Sequence, residues 1–177
     1  MYFLYDLLVR IAGLLLPVPA LFNPKIRSFL NGRKQVWPYL ETALETGKPR
    51  IWMHTASLGE FEQGRPVIEG IPDRLPDHKI LLTFFSPSGY EKRRDYEGAD
   101  YVMYLPLDTR RNAKKLTDLL SLEMVLFIKY EFWYHFLKQL KSKEVPVYLA
   151  SGNFRSSQLF FKWYGIWYRR FLDRFTH

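Results

Sequence analysis

The 177-residue chain contains no cysteine. That excludes a disulfide framework, a cysteine-ligated zinc and a thiol nucleophile, and it fits a reducing compartment. G-x-G-x-x-G, G-x-x-x-x-G-K-[ST] and G-x-S-x-G are also missing, so neither a dinucleotide fingerprint, a P-loop nor a hydrolase nucleophile elbow is supported. The four histidines, His54, His78, His135 and His177, stand at no metal-ligand spacing, and neither a metal nor a cofactor is expected. No internal repeat or low-complexity linker interrupts a length that suits one ordinary domain. Acidic residues are in deficit: 18 Asp and Glu face 26 Lys and Arg, for a formal charge of +8. The excess implies an anionic partner, whether nucleic acid, anionic lipid or a phosphorylated substrate, and charge alone does not choose among them.

What is present begins with an apolar segment. Residues 2–16 are interrupted only by Asp6 and Arg10, which on a helix form an i, i+4 pair while Leu4, Leu7, Leu8, Ile11, Leu14 and Leu15 cover the other sides. Pro17 and Pro19 stop it. About 15 residues give roughly 22 Å, short of a ~30 Å hydrocarbon core, so the segment is expected to lie in one leaflet rather than span it. Neither a basic stretch before it nor a clean A-x-A site after it suggests a signal peptide. Lys25, Arg27, Arg33 and Lys34 follow directly, as expected of a monotopic anchor resting on anionic headgroups. The alternative is an ordinary helix docked on its own domain. The expected division is residues 1–33 as hydrophobic helix and basic linker, and residues 34–177 as the folded domain.

From Arg50 the pattern alternates strands and helices, as in a Rossmann-like parallel sheet flanked by helices. The expected strands are Arg50–Thr55, Lys79–Phe85, Tyr101–Leu105, Met124–Lys129 and Pro146–Ala150. Thr109 to Leu120 reads as a helix capped by Thr109, with Ala113, Leu116, Leu119 and Leu120 as its apolar stripe. Residues 158–175 are also helical in pattern.

A parallel sheet would deliver every segment that follows a strand to one edge, the usual ligand crevice of open α/β folds. Those segments are Ser57-Leu58-Gly59-Glu60, Ser86-Pro87-Ser88-Gly89, Pro106-Leu107-Asp108, Lys129-Tyr130-Glu131-Phe132-Trp133 and Ser151-Gly152-Asn153-Phe154-Arg155-Ser156. Small, hydroxyl-bearing and charged residues gathered beside helix N-termini suit a phosphorylated sugar. A carboxylate at a strand-to-helix junction, with no nucleophile and no metal, fits general-base activation of a hydroxyl. Each segment also has a plainer account. Glu60 in a first helical turn opposes the dipole favourably, Ser86 to Gly89 can be a turn, Asp108 can be a helix cap, and Phe132 and Trp133 can be core.

Four of these segments resemble, in order, signatures of the 3-deoxy-D-manno-octulosonic acid (Kdo) transferases. Ser57 to Glu60 is similar to the family's S-x-G-E, Pro106 to Asp108 to P-x-D, Glu131 to Trp133 to E-x-W, and Asn153 to Ser156 to N-x-R-[LI]-S. The chain departs from the family at Ser86 to Gly89, where T-x-T-G is usual, at Lys129, where an acid is usual, and at Trp133-Tyr134-His135, where W-P-N is usual. The resemblance implies the N-terminal, acceptor-binding half of a GT-B glycosyltransferase that moves Kdo from CMP-Kdo to a lipid A precursor in lipopolysaccharide biosynthesis. It implies an inverting, metal-independent reaction with Glu60 as general base, and acceptor contacts from Ser57, Gly59, Ser88, Gly89, Lys129, Glu131, Asn153 and Arg155. Attachment to the cytoplasmic face of the inner membrane is implied by the same analogy. The donor-binding domain is expected to lie outside this chain, which alone should fold without catalysing. A nucleic-acid-binding module is disfavoured because the aromatics sit inside apolar runs such as Phe84-Phe85 rather than among Lys and Arg. A non-catalytic membrane-surface scaffold, which would not need Glu60, is the remaining alternative.

Overall fold

The computed structural model describes residues 2–129, 132–152 and 175. The expected helix over residues 158–175 therefore lies outside the described residues except for Phe175. In chain order, helices α1 (Tyr2–Leu15), α2 (Pro17–Ala20), α3 (Pro24–Lys34) and α4 (Val36–Ala43) precede strand β1 (Arg50–Thr55). Helices α5 (Leu58–Glu69) and α6 (Ile71–Arg74), strand β2 (Lys79–Phe84), helix α7 (Pro87–Arg93) and strand β3 (Tyr101–Tyr104) follow. Helix α8 (Arg110–Leu119), strand β4 (Leu122–Ile128), helix α9 (Tyr134–Ser142) and strand β5 (Val147–Ala150) complete the α/β order.

The five strands form one parallel sheet in the order β3-β2-β1-β4-β5. Both faces are covered, which is why the strands read as continuous apolar runs. On one face Trp52, Leu81, Met103, Val125 and Phe127 pack with Leu40 of α4, Leu116 of α8 and Phe136 of α9. On the other, Met53, Leu82, Phe84 and Ile128 pack with Phe61 and Ile68 of α5. Trp52 shows how one residue serves packing and polarity together. Its ring meets Phe127 and Phe136 edge-on at 5.5 Å, while its Nε1–H donates to Thr83 Oγ1 at 2.8 Å.

The order reverses between β1 and β4: the chain moves outward through β2 and β3, then crosses back to the far side of β1. At such a switch point open α/β sheets bind ligands, in the crevice beyond the carboxyl ends of the flanking strands, here β1 and β4.

Two expectations need correction. Residues 24–33, read as part of a basic linker, belong to α3 (Pro24–Lys34). Its signal was local, since Asn23 accepts from Lys25 N at 2.9 Å and Ile26 N at 3.4 Å ahead of Pro24. Gly32 then lets α3 lie against the ring of Tyr104 on β3. Leu119 is exposed rather than part of the α8 stripe; Thr117 takes the inward position, its hydroxyl bonded to Ala113 O at 3.0 Å.

Helix α1 docks through one face and leaves the rest open. Tyr5 Oη donates to Asp108 Oδ2 at 2.6 Å, and Gly13 sits against Leu107. Asp6 pairs with Arg10 at 2.7 Å as the spacing predicts. Leu4, Leu7, Leu8, Ile11, Leu14 (78% exposed), Val18, Leu21 and Phe22 (85% exposed) form an open apolar surface over α1, α2 and the turn after it. No described helix is long and apolar enough to cross a membrane.

Candidate functional site

The carboxyl edge of the sheet is built by ladder bonds that continue past the strands. Phe85 N–H donates to Thr55 O at 3.3 Å and Ser86 N–H to Ala56 O at 2.7 Å, which sets the β2–α7 turn beside the β1–α5 turn. Leu105 N–H donates to Phe84 O at 2.8 Å and Lys129 N–H to Ala150 O at 2.8 Å. The described candidates, Ser57, Gly59, Glu60, Ser88, Gly89 and Lys129, thus lie along one edge. Glu131, Asn153 and Arg155 lie outside the described residues.

Glu60 occupies the third position of α5 and turns back on its own loop. Its Oε2 accepts from Ala56 N at 2.6 Å, one residue before the N-cap. The carboxylate therefore closes the strand-to-helix turn in the manner of a capping box. It stays half-buried above the helix N-terminus, where negative charge is favoured. Ser57, the N-cap, is in extended conformation and its hydroxyl makes no capping bond. A helix start leaves its first N–H groups without intrahelical acceptors, so the Ser57 hydroxyl and the N–H groups of Leu58 and Gly59 are positioned to receive an oxygen.

Gly59 and Gly89 separate cleanly. A Cβ on Gly89 would overlap the buried ring of Phe84, and Gly89 N–H already donates to Ser86 O at 3.2 Å. Gly89 is thus a packing residue that brings α7 onto β2, which accounts for the glycine without a ligand. A Cβ on Gly59 would meet no described residue within 4 Å. No described residue requires glycine there. Gly89→Ala should cost ~1–3 kcal/mol by overpacking. Gly59→Ala should stabilise the protein by up to ~1 kcal/mol through helix propensity while weakening acceptor binding. Thermal melts paired with an acceptor titration check both.

Across the switch point, β4 is followed by Lys129 with φ +64°, and β5 by Ser151 with φ +58°. Left-handed backbone costs a non-glycine residue ~1–2 kcal/mol, and such strain is retained where the surroundings over-determine it, often at functional sites. Lys129 is half-buried, and β1 and β4 are neighbours, so a cation and the Glu60 carboxylate stand at the two strand ends that border the crevice. Lys129→Gly should leave stability unchanged or raise it by ~1 kcal/mol, while acceptor affinity falls. A melt showing a loss above that figure would mean the lysine side chain supports the fold instead.

An aromatic cluster lies near this edge, of which the sequence pattern assigned Trp133 to core. Trp133 stacks on Phe85 at 4.7 Å and approaches His54 at 6.0 Å. Its buried indole N–H has no acceptor among the described residues. His54 is fully buried, with Nδ1 2.8 Å from Thr83 Oγ1. Ser86 caps α7, accepting from Ser88 N at 3.3 Å, with its hydroxyl 3.0 Å from that of exposed Ser88.

Asp108 proves to be a cap, but of a different helix from the one it precedes. Thr109 caps α8, whereas Asp108 accepts from His135 N and Phe136 N of α9, both at 3.0 Å, and from Tyr5 Oη. One buried carboxylate thereby ties α1 and α9 to the β3–α8 turn. Burial raises its pKa to about 6, against the lowering effect of these three bonds. It is structural and takes no direct part in the crevice.

The chain matches the family model described as 3-deoxy-D-manno-octulosonic-acid transferase (kdotransferase) over residues 30–177. Among curated proteins it is 33% identical over 92 residues to the 3-deoxy-D-manno-octulosonic acid transferase of Aquifex aeolicus, covering 51% of this chain and 25% of that protein. It is 28% identical over 155 residues to the transferase of the same name from Chlamydia muridarum, covering 85% of this chain and 36% of the relative. With that of Haemophilus influenzae it shares 24% identity over 104 residues, 58% of this chain and 24% of the relative. The chain thus spans about a quarter to a third of the length of these relatives.

Proposed function

Because the chain belongs to the 3-deoxy-D-manno-octulosonic-acid transferase family, we propose that it is the acceptor-binding part of an enzyme that transfers Kdo from CMP-Kdo to a lipid A precursor. The observation that carries this reading is the Glu60 carboxylate, oriented by Ala56 N–H at the crevice between the ends of β1 and β4. Glu60 takes the proton from a glucosamine hydroxyl of the precursor as that oxygen attacks the Kdo anomeric carbon. The glycosidic C–O bond forms on the face opposite the leaving group, and CMP departs with the electron pair of the broken bond, inverting the centre. Lys129 and Arg155 are assigned to acceptor phosphate, and Ser57, Ser88 and the backbone at Gly59 to its hydroxyls and oxygens. No metal is needed for these steps. CMP-Kdo is assigned to a separate donor-binding domain, so this chain alone should not catalyse.

The exposed apolar surface of α1 and α2, with Lys25 and Lys34 nearby, supports monotopic attachment at the cytoplasmic face of the inner membrane, where the acylated acceptor resides. A basic non-catalytic surface domain, or a nucleic-acid binder, would leave Glu60 only its turn-closing bond to Ala56 N–H. Titration of this chain in mild detergent with phosphorylated lipid A precursor, and separately with CMP-Kdo, tests the reading. Saturable binding of the precursor, weakened by Gly59→Ala, and no binding of CMP-Kdo are expected. Equal binding of any anionic lipid by both forms would sink it.

A further inference from the structure

A cleft of about 610 Å³ lies between α1, α2, α3, α4 and the β3–α8 turn, apart from the Glu60 crevice. Arg27, Arg33 and Lys34 line it, together with apolar Leu21, Trp37 and Leu107. The described lining includes no carboxylate. Arg33 is nine-tenths buried, its guanidinium over the ring of Phe29 at 3.5 Å, and its Nε has no hydrogen-bond partner among the described residues. Its terminal nitrogens donate to Phe29 O at 3.2 Å and Phe85 O at 2.8 Å. Arg27 is held beside the mouth by bonds to Ala20 O at 3.2 Å and Leu21 O at 2.9 Å. A buried cation kept on the wall of an open cleft is costly unless an anion is at hand. Leu21, on the lip, also belongs to the exposed apolar surface, at 69% exposure.

We propose that this cleft is a discrete site for one anionic glycerophospholipid of the bilayer. Its headgroup phosphate sits against Arg33 and Lys34, and its glycerol and first chain carbons lie along Leu21, Trp37 and Leu107. Two features select this occupant. The cationic wall complements a phosphodiester of net negative charge and opposes a zwitterionic headgroup carrying its own cation. Leu21 on the lip joins the cleft to the exposed α1–α2 apolar surface, so a lipid can enter from the leaflet by its apolar end. The site rests on the reading of α1 and α2 as membrane-facing, but not on Kdo transfer. Arg33 also holds the carbonyl of Phe85, the residue before Ser86, so a bound headgroup would brace the turn that flanks the Glu60 crevice.

The test is a titration of the whole chain with soluble short-chain phosphatidylglycerol, short-chain phosphatidylcholine and inorganic phosphate. It reads the part of the tryptophan emission that Trp37→Phe removes. A saturable change with phosphatidylglycerol is expected, at least about tenfold weaker with phosphatidylcholine and with inorganic phosphate. Lys34→Glu should weaken it by about tenfold or more. Lys25→Glu, the same charge change on the same helix outside the cleft, should weaken it less than about fivefold. Equal effects of the two substitutions, or a response that never saturates, would overturn the site in favour of diffuse attraction. Inorganic phosphate binding as tightly as phosphatidylglycerol would overturn its assignment to lipid. Vesicles of phosphatidylcholine with about a quarter phosphatidylglycerol keep the two readings apart. Saturable short-chain binding without vesicle binding would support the cleft and overturn the membrane-facing role of α1 and α2.

Discussion

Glu60→Gln, introduced into an enzyme of the relatives' full length, should slow Kdo transfer at saturating substrates by at least ~10², the usual worth of a positioned general base. Glutamine is the informative replacement because its amide oxygen can still accept from Ala56 N–H, the bond that closes the β1–α5 turn. Fold and acceptor affinity should therefore stay near those of the parent while the chemical step fails. Glu60→Ala removes the acceptor as well. A part-buried N–H is then left unpaired, at a cost of ~1–3 kcal/mol. The two variants should share the catalytic loss and differ in melting temperature. A Gln variant with near-parental turnover would reduce Glu60 to a turn-closing residue.

The largest stability effect is expected at Asp108. Asp108→Ala leaves two buried N–H groups of α9 and the Tyr5 hydroxyl without their shared acceptor. The expected cost is ~3 kcal/mol near neutral pH, about 10 °C in melting temperature for a domain of this size. Helix α1 should also become more accessible to protease once the Tyr5 tether is lost. The loss is pH-dependent with a definite sign. Burial lifts the Asp108 pKa from its ordinary 3.8 to about 6, so the folded protein binds this proton more tightly than the unfolded chain. The associated stability is fully present below about pH 4 and is lost as pH rises through 6, a swing of ~3 kcal/mol. The gap between parent and Ala variant should therefore widen on acidification from pH 7 to pH 4. A gap that stays flat would contradict the raised carboxyl, and a gap under ~1 kcal/mol at neutral pH would contradict the cap.

The sheet was legible because parallel strands are buried on both faces, so each is a short apolar run that ends where polar punctuation begins. Arg50–Thr55 matches the expected bounds, and the other four strands differ by one or two residues at their ends. Glu60 was legible for the same reason: a run that breaks at Ser-Leu-Gly-Glu announces both the strand end and the helix start. What escaped the pattern is contact between residues distant in sequence. Asp108 meets α9 27 and 28 residues later, and no local rule assigns a carboxylate to a helix it does not precede. The burial of Arg33 depends on a bond to Phe85, 52 residues away, so a basic run looked like a solvated linker. Gly89 was ambiguous because a packing glycine and a ligand-facing glycine are the same letter, and only the ring of Phe84 behind it separates them. The contacts of Trp133 with His54 and Phe85 join β1, the turn after β2 and the turn into α9, which an apolar run does not reveal.

The central claim is that acceptor lies at the carboxyl edge of this sheet, and photo-crosslinking tests it most directly. A lipid A precursor bearing a photoreactive group on its sugar would be irradiated with the chain and the labelled peptides mapped. The account predicts labelling in the turns around residues 56–60 and 86–88 and at Lys129, competed away by unmodified precursor. Competable labelling confined to the opposite edge, around Lys48, Asp77 and Asp100, would contradict it.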